Sequence, residues 1–163
     1  MICIQFFPVL VFDPVLSESE KEILSRLNLS VGQINEEGKF PISDNTVFYF
    51  PHCPKHLTNN LLWSNWKKTS LSKVFLLSNS FERIITNLPG RLIKQEGAEF
   101  ILRVSGCVKE TPVKNNYRLN DVFNDTSIHS FPEILLSEKR DPNFWDRGEA
   151  PVYVEPDREF VTN

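Results

Sequence analysis

Short apolar runs rich in β-branched residues alternate with amphipathic stretches roughly every 25 residues, and that rhythm restricts the fold more than any other feature of the chain. Val9 to Phe12 stops at Asp13-Pro14, Thr46 to Phe50 stops at Pro51, and Lys73 to Leu77 runs into Ser78-Asn79-Ser80. Runs that are apolar at consecutive positions suit strands buried on both faces. Between them, Ser17-Glu18-Ser19-Glu20 opens a helix. Ser17 is its cap, Glu20 completes a capping box, and Ile23, Leu24 and Leu27 follow as an apolar stripe. A second helix is expected from Pro54 to Trp66, with Leu57, Leu61, Leu62 and Trp66 facing the core. Proline is tolerated in its first turn because that N–H has no helical partner. Asn79-Ser80 caps a third helix, which Pro89-Gly90 ends. Val31 to Ile34 and Glu99 to Val104 read as further strands, and residues 122–131 as a strand with a turn at Asn124-Asp125. The class this predicts for residues 1–136 is α/β with a mainly parallel sheet.

From Ser137 to Asn163 the texture changes to charge and proline, with Phe144, Trp145, Tyr153 and Phe160 at no regular period. This part is expected to be an irregular tail with a short docking patch at Phe144 and Trp145. At 163 residues the chain has room for one core. Its longest apolar run, Ile2 to Phe12, is broken by Gln5 and Pro8, well short of the ~20 residues of a membrane span. Cys3, Cys53 and Cys107 are scattered and odd in number, which fits reduced thiols better than a disulfide framework. A cytoplasmic protein is expected, with the nucleus as a second compartment and no membrane partner. The net charge of -3 conceals a basic middle, where residues 53–118 hold eleven bases against four acids. Those bases are interspersed with apolar segments rather than clustered with aromatics, so no direct nucleic-acid binding is expected.

In a parallel α/β sheet, ligands sit beyond the carboxyl ends of the strands. The residues leaving those ends are Asp13, then Pro51-His52-Cys53, then Asn79, and they are more polar than the runs they follow. His52-Cys53-Pro54-Lys55-His56 is the densest chemical cluster. A thiolate beside imidazoles can ligate zinc, and a Cys-Pro thiolate with His52 or His56 opposite can ligate haem iron. The same five residues also describe a strand-to-helix turn with a small buried cysteine. Cys53 as a nucleophile would need a base among His52, His56 and His129. Asp125 and His129, four apart, complete the ligand-edge candidates, a spacing that also suits a turn hydrogen bond. No phosphate loop, nucleophile elbow or paired Cys-x-x-Cys occurs, so no catalytic residue and no metal site is assigned.

Five blocks in this order carry a resemblance: Val11-Phe12-Asp13-Pro14-Val15, Phe48-Tyr49-Phe50-Pro51-His52-Cys53, Leu61-Leu62-Trp63-Ser64-Asn65-Trp66, Ser78-Asn79-Ser80-Phe81, and Phe123-Asn124-Asp125-Thr126-Ser127-Ile128-His129. Over roughly residues 9–131 the chain resembles the Sensitivity to Red Light Reduced family, the SRR-like domain. The resemblance implies a Rossmann-like sheet and a regulatory, non-enzymatic protein acting in haem biosynthesis and circadian clock gene expression through protein partners. Haem is the cofactor toward which the family and the His52, Cys53, His56 cluster both point. The alternative is a small-molecule or cofactor-dependent enzyme using the His52, Cys53 and Asn79 edge. Family members carry a glycine- and serine-rich turn upstream of the Asp-Pro block. This chain is therefore expected to be an N-terminally shortened form, with an incomplete sheet, no bound nucleotide, marginal stability and an edge open to other chains.

Overall fold

A computed structural model describes residues 8–89, 92–93, 96–119 and 122–153; Cys3 and Phe160 lie outside the described residues. The described residues fall into two compact units, 8–36 and 37–153.

In the first unit, β1 (Leu10–Val11) pairs in parallel with β2 (Ser30–Val31) around α1 (Glu18–Arg26). The helix starts where the sequence places it. The Ser17 side chain accepts from the Glu20 N–H, and the Glu20 carboxylate accepts from the Ser17 N–H at 2.8 Å. Hydrogen bonds from the Ser17 hydroxyl and N–H hold the Glu20 carboxyl below the usual carboxylate range. The strands are shorter than the sequence suggests, and Val9 and Leu10 are exposed rather than buried on both faces. A two-stranded ribbon offers no pair of layers between which to bury them.

The second unit is built on a four-stranded sheet in the order β3 (Thr46–Tyr49), β4 (Val74–Asn79), β6 (Thr126–Ser130), β5 (Lys109–Pro112). Strands β3 and β4 are parallel, whereas β4–β6 and β6–β5 are antiparallel. The expected mainly parallel, Rossmann-like sheet is thus corrected to a mixed one within an α/β architecture. The chain leaves β5 and, after residues 113–125, β6 lies beside it; the described residues of this return hold no crossover helix, as suits an antiparallel pair. Residues Glu99–Val104 form a helix, α5, not a strand. Phe100, Ile101 and Val104 are all buried, and positions i, i+1 and i+4 share a helical face but not a strand face.

Helices α2 (Lys55–Ser64), α4 (Phe81–Asn87), α5 and α6 (Glu133–Glu138), with the short α3 (Lys68–Leu71), surround the core. Leu61, Leu62, Trp66, Leu71, Val74, Leu76, Phe81, Ile101 and Leu136 make one buried cluster. The stripe read from the sequence is its α2 side, although Leu57 is only half-buried. From residue 139 to 153 the backbone is irregular apart from a 3-10 turn at Pro142–Trp145. Phe144 and Trp145 in that turn pack on Trp66, with ring centroids 5.2 and 6.0 Å away.

Candidate functional site

The register of the sheet decides which polar residues meet. The carboxyl ends of β3 and β4 lie at the same edge as the start of β6, because Asn79 pairs with Thr126. His52, Cys53, Asn79 and Asp125 therefore gather at one end of the sheet. Two of them sit on left-handed backbone, His52 at φ 51° and Asp125 at φ 60°, a conformation that costs a non-glycine side chain energy and marks tight turns.

Each group is held by backbone. Asn79 Nδ2 donates to the Cys53 carbonyl at 3.1 Å, tying the β3 turn to β4. His52 Nε2 lies 3.2 Å from the Val122 carbonyl. The Ser80 N–H donates to the Asp125 carbonyl at 2.9 Å. Asp125 Oδ1 stands 3.2 Å from Arg83 Nε, an ion pair without hydrogen-bond alignment, and Asn79 Oδ1 is buried without a hydrogen-bond partner. The Ser80 side chain, nearly buried, caps α4 through the Arg83 N–H. These bonds position loops.

The other candidates are elsewhere. Asp13 follows β1 in the first unit, where its Oδ1 accepts from the Val15 N–H at 3.0 Å and closes a local turn. His56, on the first turn of α2, faces the Tyr153 ring at 5.2 Å. The Cys53 thiol points to the Pro51 carbonyl. His52, Cys53 and His56 thus engage three different neighbours. Neither of two open cavities, of about 820 and 300 Å³, is lined by any of them. No group of three His, Cys, Asp or Glu able to hold a metal occurs among the described residues. This arrangement does not fit haem, which needs an axial donor facing an apolar slot. Titrating haem into the wild type and into Cys53→Ala should give coincident absorption spectra. A thiolate band present only in the wild type would overturn that expectation. Cys53 and Cys107 form no disulfide among the described residues, and burial pushes the Cys107 thiol pKa up.

His129 sits in the middle of β6, fully buried and stacked on Phe81 with centroids 3.8 Å apart. Its Nδ1 is 3.3 Å from the Leu76 carbonyl. A carbonyl only accepts, so Nδ1 carries the proton and Nε2 presents a lone pair. Across from Nε2, at 3.7 Å, is Glu110 Oε1, too far for a hydrogen bond. Burial pushes the His129 pKa below its ordinary 6.5, and the Glu110 carboxylate offsets this only in part. The unfolded chain therefore binds this proton more readily than the folded one. The contribution to stability is complete above about pH 6.5 and is lost progressively as the pH falls below it. Urea midpoints should drop between about pH 7.5 and 5.5 in the wild type, and less in His129→Gln. Equal drops in both proteins would remove His129 as the cause.

The sequence does not single out three asparagines of the α2 region. Asn59 Oδ1 accepts from the Phe100 N–H at 2.7 Å, and its Nδ2 donates to the Tyr153 hydroxyl. That hydroxyl in turn donates to Asn60 Oδ1, while Asn60 Nδ2 donates to the Glu37 carbonyl at 2.8 Å. Asn65 Nδ2 donates to the Phe40 and Leu61 carbonyls and its Oδ1 accepts from the Ile42 N–H. The available signal is three helix-poor asparagines in a stretch whose neighbours are core residues. Burial pushes the Tyr153 pKa up. No described helix is long and apolar enough to cross a membrane.

The family model for the SRR1 domain matches residues 3–130. An SRR1-like protein of Drosophila melanogaster is 40% identical over 153 residues, covering 94% of this chain and 52% of that protein. An SRR1-like protein of Mus musculus is 44% identical over 96 residues, covering 58% of the chain and 38% of the relative. The Arabidopsis thaliana Protein SENSITIVITY TO RED LIGHT REDUCED 1 is 44% identical over 135 residues, covering 78% and 47%. The chain thus spans about half the length of the fly and plant relatives. No solved structure matches it. The ordered blocks, the matched span and these identities show that the chain belongs to the SRR1 domain family.

Proposed function

We propose that this protein is a non-enzymatic regulator working through protein partners, in the control of haem biosynthesis and of circadian clock gene expression, in the cytoplasm and nucleus. Membership in a family whose plant relative is named for reduced sensitivity to red light carries this reading, since that name describes a signalling phenotype. The sheet end supports it. There, His52, Asn79 and Asp125 are engaged with backbone carbonyls, a backbone N–H and an ion pair, as befits groups that shape a surface. Depleting the protein from cells and restoring it is the test. Clock-gene transcripts are expected to lose amplitude or shift phase, and transcripts of haem-synthesis enzymes to change, with both recovering on restoration. Unchanged transcripts of both kinds after complete depletion would overturn the proposal.

A further inference from the structure

Residues of the four-stranded sheet alternate between two sides. One side carries Val74, Leu76 and His129 into the core. The other carries Val47, Tyr49, Phe75 and Ile128, which are 69, 61, 42 and 41% exposed. Register makes them contiguous: Val47 is beside Phe75, Tyr49 beside Leu77, and Leu77 beside Ile128. A sheet side that faces water is ordinarily polar, and a continuous apolar patch marks a contact surface.

We infer that this side of the sheet is a docking surface for an amphipathic helix of a partner protein, with an apolar stripe flanked by acidic residues. The inference deepens the partner-based reading above and rests on it. Shape is the first argument. Three neighbouring strands span about 10 Å, close to the diameter of one helix, and an apolar sheet side in an α/β protein is covered by helices. Charge is the second. Among the described strand residues on this side the charged group is Lys109 and no carboxylate is among them; Lys73, in the turn before β4, adds a second cation whose ammonium donates to the Ser43 carbonyl. Such a surface complements acidic flanks and repels basic ones. Single-stranded RNA is the poorer occupant. It needs stacking platforms along a line of cations, whereas here aliphatic Val47, Leu77 and Ile128 accompany two aromatics and two lysines.

The experiment uses two labelled helical peptides with the same leucine stripe, one flanked by glutamates and the other by lysines, read by fluorescence anisotropy on the full chain. The glutamate peptide should bind saturably and at least about tenfold more tightly than the lysine peptide. Val47→Ser with Phe75→Ser should weaken it by a similar factor, and Lys109→Glu should erase the preference. These positions are exposed, and circular dichroism of each variant checks the fold; Lys109→Glu answers independently if the double variant does not fold. Equal binding of both peptides, no binding, or variants that bind like the wild type would overturn the inference. So would an oligouridylate probe that displaces the peptide, or self-association in sedimentation that the same substitutions abolish. Restoration of transcripts in depleted cells by the Val47→Ser, Phe75→Ser protein would remove this surface while leaving the regulatory reading standing.

Discussion

Replacing Trp66 with alanine should cost about 3–5 kcal/mol of stability, the usual loss for a large buried aromatic. Trp66 is 1% exposed and holds the irregular C-terminal stretch against the helices. Its ring meets Phe100 edge-on at 4.9 Å and packs against Phe144 at 5.2 Å. The Arg103 guanidinium lies 4.8 Å from its centroid, and the indole N–H donates to the Phe144 carbonyl at 2.7 Å. Alanine removes the ring contacts and leaves a cavity, while the Phe144 carbonyl keeps its bond from Arg103 Nη2 at 2.5 Å. Urea denaturation measures the loss, and early proteolysis beyond residue 138 should accompany it. A loss below about 1 kcal/mol, the range of ordinary surface changes, would mean that the core does not depend on this ring.

Asn65→Leu should cost about 2–4 kcal/mol, although it adds apolar surface to an apolar site. Leucine is close in size, so packing changes little. The Ile42 N–H and the Phe40 carbonyl nevertheless lose the side-chain partner they have at 2.9 and 2.7 Å. Each of these half-buried groups, left unpaired, costs about 1–2 kcal/mol, the lower part of the range for buried ones. Residues 38–42 should then become accessible to protease before the rest of the second unit unfolds. An Asn65→Leu variant as stable as the wild type would show that water or a shifted loop satisfies both groups.

What is legible in the sequence is local. The capping box needs only Ser17 and Glu20, and the α2 stripe needs only the spacing of Leu61, Leu62 and Trp66. Strand direction is a long-range property, so nothing in Thr126–Ser130 announces that it runs against β4. Strand β5, Lys-Glu-Thr-Pro, gives no signal because an edge strand can be polar and end in proline. Glu99–Val104 reads as a strand because so short a mixture of apolar and charged residues does not reveal its period until one side is buried. At the site, the strand ends single out Asp13, His52, Cys53 and Asn79. Register brings His52, Cys53 and Asn79 to one sheet end, where Asp125, named from its spacing to His129, joins them, while Asp13 follows β1 in the first unit. His129, grouped with them by its distance of four from Asp125, belongs instead to the core, since alternate strand residues face opposite ways.

The position of β6 between β4 and β5 sets an order of assembly. Strand β4 ends at Asn79 and its neighbour on that side ends at Ser130, so about 50 residues separate the two, or roughly 3–10 s of synthesis at typical elongation rates. Throughout that interval β3 and β4 can pair while the backbone groups along the far edge of β4 wait. Strand β5 cannot fill the place, because it joins the sheet only through β6. The nascent chain therefore carries an open, valine- and leucine-containing strand edge until β6 emerges. A ribosome pausing between residues 80 and 126 would prolong the stage at which this protein is most prone to pair with a wrong strand.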